Sequence, residues 1–157
     1  MFKWLAQHWA GMSTAEKATW AGRADDGKYS PFNAFMAYNQ SRWRDFNAPS
    51  DEDPAAEVAT PPDACTGVAT PDVRSMTLAI THGTAAADSG IMIFRSLTTS
   101  FTPAFSNCIA VIDADGAGDG VYIDTPLEAG QYFYMANGFM VDGTEGADGT
   151  EFDGTVT

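Results

Sequence analysis

The chain is 157 residues long, contains 45% hydrophobic residues and carries a formal net charge of −13 at pH 7. This apolar content is normal for a globular protein and argues against wholesale disorder. The length suits one domain of roughly 80–100 residues plus a smaller element. Nucleic acids and phospholipid surfaces are anionic, so the strong negative charge argues against both as partners.

The charge is distributed unevenly along the chain. Residues 1–50 contain six basic and four acidic residues, a net charge of +2, whereas residues 51–157 contain two basic and 17 acidic residues, a net charge of −15. Five of the eight prolines lie between residues 47 and 71. We therefore predict a helical docking segment at 1–46, an extended Pro/Ala/acid-rich tether at 47–71 and an acidic β-domain at 72–157.

Targeting and redox signals are weak. The stretch MFKWLAQHWAGMS is interrupted by Gln7 and His8 and lacks the apolar core of a secretory signal. No run approaches the roughly 18 apolar residues of a membrane span. We therefore expect assembly in the host cytoplasm, where Cys65 and Cys108 remain thiols and do not form a disulfide.

The first helical signals lie in the first 23 residues. Residues 2–10 predict a short helix or an irregular aromatic arm. Ser13 and Glu16 have the spacing of a capping box, in which the serine side chain accepts from the amide of the third residue and the glutamate reaches back. This pair predicts a helix that continues to about Arg23.

A third helix is predicted from Ser30, the N-cap, and Pro31 at the first helical position, to about Phe46. Apolar side chains recur along it at spacings of three and four, which predicts one aromatic face. Such short helices cannot bury all these rings among themselves, so we expect the face to contact a partner as well. The predicted partner-binding residues are Trp4, Trp9, Trp20, Phe32, Phe35, Met36 and Trp43.

Short apolar runs separated by Gly, Asp and Thr dominate the last part of the chain. Six or seven such strands at these intervals predict a β-sandwich of immunoglobulin-like size, and the helical segment makes the fold class α+β. The predicted strands are residues 74–81, 90–96, 107–113, 120–124, 131–141 and 151–157.

The stretch LEAGQYFY, from Leu127 to Tyr134, resembles the turn into the penultimate strand of fibronectin type III and related immunoglobulin-like modules. In that family a Leu and a Gly precede a strand whose tyrosine hydroxyl bonds to the backbone. At the usual spacing this chain has Phe133. The resemblance therefore implies that the corner bond falls to Tyr132 or, in a shifted register, to Tyr134.

The layout of the whole chain resembles a class of small proteins from bacteriophages and environmental bacteria. The matching pieces run from Trp9 to Trp20, from Ser30 to Asn39 and from Ala129 to Tyr134. These motifs are structural and carry no known chemistry. The resemblance implies a role in a virion or a surface assembly, by association.

A competing resemblance lies in the third helix. The segment from Pro31 to Tyr38 is similar to the opening helix of high-mobility-group boxes, which bend DNA. The rest of such a box is basic, whereas here SDEDPAAEVATPPD follows. A +2 segment joined to a −15 domain is a poor electrostatic match for DNA, so we predict no nucleic-acid partner.

Catalytic motifs are sparse. The only histidines, His8 and His82, are far apart in the sequence, and neither sits beside a candidate nucleophile. The sequence has no nucleophile elbow, no P-loop and no dinucleotide-binding fingerprint. We therefore predict that the protein is not an enzyme.

Calcium is the one cofactor that the sequence suggests. Asp113, Asp115 and Asp119 place carboxylates at nearly alternate positions, as an oxygen cage for a hard cation requires. Asp-Gly hairpin turns explain the same stretch without a metal. The three aspartates are the candidate calcium ligands.

These observations predict a non-enzymatic structural subunit of a phage-like virion, such as a decoration, fibre-base or tail-associated protein. Its partners are expected to be capsid or tail proteins and copies of itself, with the helical arm docked and the sandwich displayed. The alternative is a module that binds glycan or a cell-surface protein through the sandwich loops.

Overall fold

The structure, a computed structural model, describes residues 1–24, 29–53, 60–82, 85–115 and 117–157. Within these residues, helices come first and strands follow. The helices are α1 (Phe2–Gly11), α2 (Thr14–Arg23) and α3 (Pro31–Arg44). The strands are β1 (Thr66–Asp72), β2 (Ser75–Thr81), β3 (Gly90–Ser96), β4 (Cys108–Asp113), β5 (Gly120–Asp124), β6 (Gly130–Phe139) and β7 (Phe152–Val156).

The strands form two antiparallel sheets with the orders β1-β2-β5 and β4-β3-β6-β7. Alternate side chains of each strand point between the sheets, because successive residues of a strand face opposite sides. Met76, Leu78 and Ile80 of β2 thereby meet Ile91 and Ile93 of β3 in a fully buried core. This arrangement is an immunoglobulin-like β-sandwich, which confirms the predicted α+β fold class.

The turn into β6 contains the corner bond that the fibronectin resemblance implied. The hydroxyl of Tyr132 donates to the carbonyl of Glu128 at 3.0 Å. Tyr134 points into the core and donates to the Asp124 carboxylate at 2.9 Å. Of the two tyrosines left open by the sequence, Tyr132 therefore forms the corner.

The three helices cover the outer side of the four-stranded sheet. The residues of β3 that alternate with Ile91 and Ile93 are Met92 and Phe94, and they pack against the helices in a second core cluster. Trp20 is fully buried in that cluster. The molecule thus has three layers, which are the helices, the four-stranded sheet and the three-stranded sheet. None of the described helices is long and apolar enough to cross a membrane.

The sequence signals at the helix ends are confirmed. Ser13 accepts from the Glu16 amide at 3.2 Å while its own amide donates to the Glu16 carboxylate at 2.6 Å, so the capping box is complete. Ser30 accepts from the Asn33 amide at 3.2 Å, with Pro31 in the first turn. These bonds satisfy amides that the helix itself leaves without partners.

The described parts of the expected tether differ from an extended spacer. Ala48, Ser50 and Asp51 are buried against the helices and the four-stranded sheet. The Asn39 side chain both donates to the Ser50 carbonyl at 2.9 Å and accepts from the Ser50 amide at 2.7 Å. A loop can be buried without a large free-energy cost when its backbone groups have hydrogen-bond partners of this kind. Residues 54–59 lie outside the described part of the chain.

The segment that was predicted as the end of the tether also contains a strand. Residues Thr66–Asp72 form β1, which pairs with β2 along its whole length. Pro71 is tolerated there because β1 is an edge strand. The other predicted strands agree with β2 to β7 to within a few residues, and both cysteines are free thiols, as expected.

Candidate functional site

The seven aromatic and methionine side chains that were predicted to bind a partner all lie in the helical layer. The buried ones are Trp4, Trp20, Phe35 and Met36, and the partly buried ones are Trp9, Phe32 and Trp43. Trp20 meets Phe35 edge-on at 5.3 Å between ring centroids. The chain's own sheet covers the buried four, so a partner-binding role stays a prediction that only the partly exposed three can satisfy directly.

His8 sits at a junction between the helical layer and the sandwich. Its Nε2 atom lies 2.9 Å from Asp51 Oδ1, and its Nδ1 atom lies 2.7 Å from Asp113 Oδ1. The ring also stacks on Trp4 with centroids 4.4 Å apart. Only 13% of the His8 side chain is exposed. One imidazole therefore joins α1, the loop after α3 and the end of β4.

The electrostatics of this junction favour a charged imidazole. Burial acts to lower the pKa of His8, but the hydrogen bonds and charges of Asp51 and Asp113 outweigh it, and the net effect raises that pKa. The Ser89 hydroxyl donates to the second oxygen of Asp51 at 3.0 Å. The hydroxyl is thus bonded to the carboxylate, whereas an activated serine nucleophile is bonded to the imidazole.

Cys65 and His82 form a pair that the sequence analysis missed. Thr66 pairs with Thr81 at the open end of the β1–β2 hairpin, so the next residues outward, Cys65 and His82, also meet. Sγ of Cys65 lies 3.0 Å from Nε2 of His82. The signal available in the sequence was the β1 strand itself, whose register with β2 predicts this contact.

The chemistry of this pair is that of a neutral thiol and a neutral imidazole. Cys65 is 1% exposed, and burial raises its pKa to about 11. Burial also lowers the pKa of His82, despite the opposing influence of the Gly118 backbone and Asp119. A reactive cysteine needs a lowered pKa and access for its substrate. Cys65 has neither.

The three candidate calcium ligands line one open cavity of about 540 Å³ beside the three-stranded sheet. Asp115 accepts from the amides of Ala117 and Asp119 at 2.8 and 3.0 Å, and these bonds lower its pKa. Asp119 accepts from the His82 amide at 3.0 Å. Asp113 is held by His8. The described residues contain no group of three acidic, His or Cys side chains arranged around a metal position; calcium binding stays a prediction.

The outward face of the three-stranded sheet exposes aliphatic side chains among threonines. Val68 of β1 and Val121 and Ile123 of β5 are 64%, 66% and 57% exposed. The pairings Val68–Ala79–Val121 and Thr70–Thr77–Ile123 put them in two adjacent rows. The full set on this face is Thr66, Val68, Thr70, Asp72, Ser75, Thr77, Ala79, Thr81, Val121 and Ile123, which we call the valine face.

A second apolar surface lies on the opposite side of the molecule, between α1 and α3. It is an open cleft of about 450 Å³ lined by Phe2, Trp43, Arg44 and neighbours from α3. Phe2 is 64% exposed. We call this surface the helical cleft.

Comparison with known proteins shows likeness only in fold. No protein-family model matches the sequence, and neither does any curated protein. Solved structures that resemble the chain include an Fn3-like protein from Clostridium thermocellum, with 18% identity, a TM-score of 0.40 and coverage of 61% of this chain and 88% of that one. Another is the PKD domain of an M14-like peptidase from a Thermoplasmatales archaeon, with 15% identity, a TM-score of 0.40 and coverage of 63% and 98%.

Two larger enzymes also share part of the fold. Pectate lyase Pel3 from Pectobacterium carotovorum matches with 12% identity and a TM-score of 0.46 over 58% of this chain, and a β-1,2-glucanase from Parabacteroides distasonis matches with 16% identity and a TM-score of 0.47 over 64%. The matched regions span 27% and 13% of those enzymes' lengths. At these scores the likeness says nothing about activity.

Proposed function

We propose that this protein is a non-enzymatic structural subunit of a phage-like particle, a decoration, fibre-base or tail-associated component. The single observation that carries the proposal is the valine face. Three β-branched aliphatic side chains, Val68, Val121 and Ile123, lie exposed around Ala79 on a chain with a net charge of −13. Exposed aliphatic side chains grouped on one sheet face are typical of an interaction surface.

The histidines and a buried aspartate bind other side chains of the same chain, which supports the non-enzymatic part of the proposal. His8 is held between two carboxylates, and His82 is bonded to a buried thiol. Asp124, also buried, accepts two bonds from Arg95 at 2.9 Å. Each of these groups is engaged by another side chain of the same chain, which supports a structural role for it.

The particle is the part of the proposal that comes from the overall resemblance to small phage proteins. The helices share a core with the four-stranded sheet, so we propose that helices and sandwich are displayed as one unit. In the particle, the valine face and the helical cleft contact neighbours. The sandwich loops between them face outward.

The test is quantitative mass spectrometry of particles purified from the lysate of the source organism. A fixed copy ratio to the major shell protein, retained through a density gradient, is the expected result. The ratio separates a shell-wide decoration from a vertex or tail component.

Variants connect incorporation to the proposed surface. Val121→Glu places a charge on the valine face, and we expect it to lower the copy ratio at least severalfold. Leu97→Glu is the matched control because Leu97 is 73% exposed but lies outside that face. Absence of the wild-type chain from particles, with the chain bound to cells instead, would overturn the proposal in favour of the glycan- or cell-surface-binding module.

A further inference from the structure

The two apolar surfaces lie on opposite layers of the molecule and differ in charge. The valine face is the outer side of the three-stranded sheet, whereas the helical cleft lies on the helices that cover the far side of the other sheet. The described residues that line the helical cleft include Arg44 and no acidic side chain, whereas Asp115 and Asp119 lie beside the valine face. We call the helical cleft with Arg44 the cationic pole and the valine face with its neighbouring carboxylates the acidic pole.

Carboxylates border the valine face at both ends. Asp72 is exposed at the hairpin end of β1. At the other end, Asp115 and Asp119 line the open cavity that Ala79 and Val121 also line. Arg74, in the turn between β1 and β2, lies at the same end as Asp72 and pairs with Glu128 at 3.1 Å. The acidic rim is therefore the end that contains Asp115 and Asp119. An apolar floor with an acidic rim suits an apolar partner surface that carries cations.

The helical cleft is such a surface. Phe2 and Trp43 supply aromatic area, and Arg44 lines the same cleft. Lys3 and Arg44 are exposed, and neither forms an ion pair with a described residue. Their charges are thus available to a partner.

We infer that a second copy of this chain is the occupant, with the valine face of one copy docked on the helical cleft of the next. This inference rests on the proposed function and names one partner in the assembly. Pairing two valine faces would bring the acidic rims together, whereas pairing unlike poles brings Arg44, with Lys3 next to Phe2, towards Asp115 and Asp119. Electrostatic complementarity of this kind sets register and suppresses wrong pairings.

The geometry makes the contact heterologous. Each copy uses two different surfaces on opposite layers, so a docked pair still has one free pole of each kind. Heterologous contacts add further copies until a ring closes or a row extends. The contact is therefore suited to a row or ring of subunits on a particle.

Salt dependence separates this arrangement from like-face pairing. Attraction between unlike poles is screened by salt, so the dissociation constant should rise, by about tenfold, between roughly 0.05 M and roughly 0.5 M salt. Pairing of two acid-rimmed faces would strengthen over the same range, because repulsion would be screened.

The decisive experiment is complementation between two variants of the full chain, followed by sedimentation velocity. Val68→Glu/Val121→Glu blocks the valine face, and Lys3→Glu/Arg44→Glu blocks the helical cleft. All four positions are exposed, and circular dichroism checks that each variant is folded. Each variant alone should sediment as a monomer, and the mixture should form a dimer and nothing larger. Leu97→Glu should associate as the wild type does.

Three outcomes would overturn the inference. They are a wild-type chain that stays monomeric at every accessible concentration, a mixture that does not dimerise, or an association that salt strengthens. The proposed function fails separately. A chain that associates head to tail but is absent from particles contradicts the particle role alone, and a monomer found in particles contradicts this inference alone.

Discussion

His8 and Asp113 are 105 residues apart in the sequence and meet at 2.7 Å, joining helix α1 to the end of strand β4. The other nitrogen of the same imidazole binds Asp51, which is buried and whose carbonyl accepts from the Trp20 indole at 2.7 Å. Three segments that are distant in sequence thus converge on one titratable group. The attachment of the helical layer should therefore depend on the protonation of His8.

We predict that His8 stabilises the fold most at acidic to neutral pH. The folded-state pKa of His8 is raised above its ordinary value of 6.5. The stabilisation is therefore complete below about pH 6.5 and is lost as the pH rises through the raised folded-state pKa. His8→Gln should lower the free energy of unfolding by about 1.5–3 kcal/mol near pH 6, the usual range for a hydrogen bond to a charged group, and by less at higher pH.

Urea unfolding of both proteins at several values between about pH 6 and about pH 8.5 checks this. The difference between them isolates His8 from His82, whose pKa is shifted the other way. Asp113→Asn is the companion variant, with a smaller expected effect because 63% of that side chain is exposed. A difference that does not change with pH would show that the imidazole is neutral in the fold.

A second prediction concerns Trp20, which is fully buried between the helices and the sheet. Trp20→Ala should lower the free energy of unfolding by about 3–5 kcal/mol, as large-to-small substitutions in a core do. Trp43→Ala, at a partly buried position, is the comparison and should cost less. Because the helical layer shares a core with the four-stranded sheet, fluorescence and far-ultraviolet circular dichroism should report one transition.

Two separate transitions, with the sandwich intact after the helices unfold, would contradict this prediction. They would instead support an independent docking arm, as the sequence suggested. The matched variant Trp20→Phe keeps a ring but removes the indole N–H that donates to Asp51, so its cost measures that bond and the packing difference.

Much of the fold could be predicted from local sequence signals. The capping box at Ser13 and the Ser30-Pro31 start define their helices because the bonds they make are local. Strand β2 alternates strictly and is also evident. Strand β1 is not evident from its sequence, because its Thr, Gly and Pro residues have the composition of a linker. Its strand conformation depends on pairing with β2. An edge strand is stabilised mainly by its neighbouring strand, so its own composition is a weak signal of its structure.

The candidate site could be predicted less well, because its contacts are long-range. The sequence placed Trp20 and Phe35 on a helix face, but it could not reveal that the chain's own β3 and β6 supply the surface that covers them. Similarly, the valine face requires the order β1-β2-β5, which brings Val68 and Val121 to either side of Ala79. Whether these side chains are buried or exposed therefore depends on the order in which the strands and helices pack.

A third prediction tests the corner bond of Tyr132. Tyr132→Phe removes the hydroxyl that donates to Glu128 and should lower the free energy of unfolding by about 0.5–1.5 kcal/mol. Tyr122→Phe is the control because no described residue hydrogen-bonds to that hydroxyl. Equal effects of the two substitutions in urea unfolding would mean that the corner bond adds nothing to stability.

The last prediction concerns the Cys65–His82 pair. Burial raises the pKa of Cys65, so we expect the proton shared by the pair to stay on the sulfur. With a pKa of about 11 against an ordinary value of 9.0, Cys65 has a thiolate fraction about a hundredfold smaller than a free thiol at pH 8. In a Cys108→Ser background, iodoacetamide should therefore label Cys65 at least a hundredfold more slowly in the folded chain than in denaturant.

His82→Ala distinguishes the two possible states of that pair. In a neutral pair the histidine contributes no activation, so its removal should leave labelling slow or make it faster by loosening the packing against Gly138. In a thiolate–imidazolium pair, labelling of the parent would be fast and the substitution would slow it. The second result would reveal an activated nucleophile and would contradict the non-enzymatic proposal, so this measurement bears on function as well as on burial.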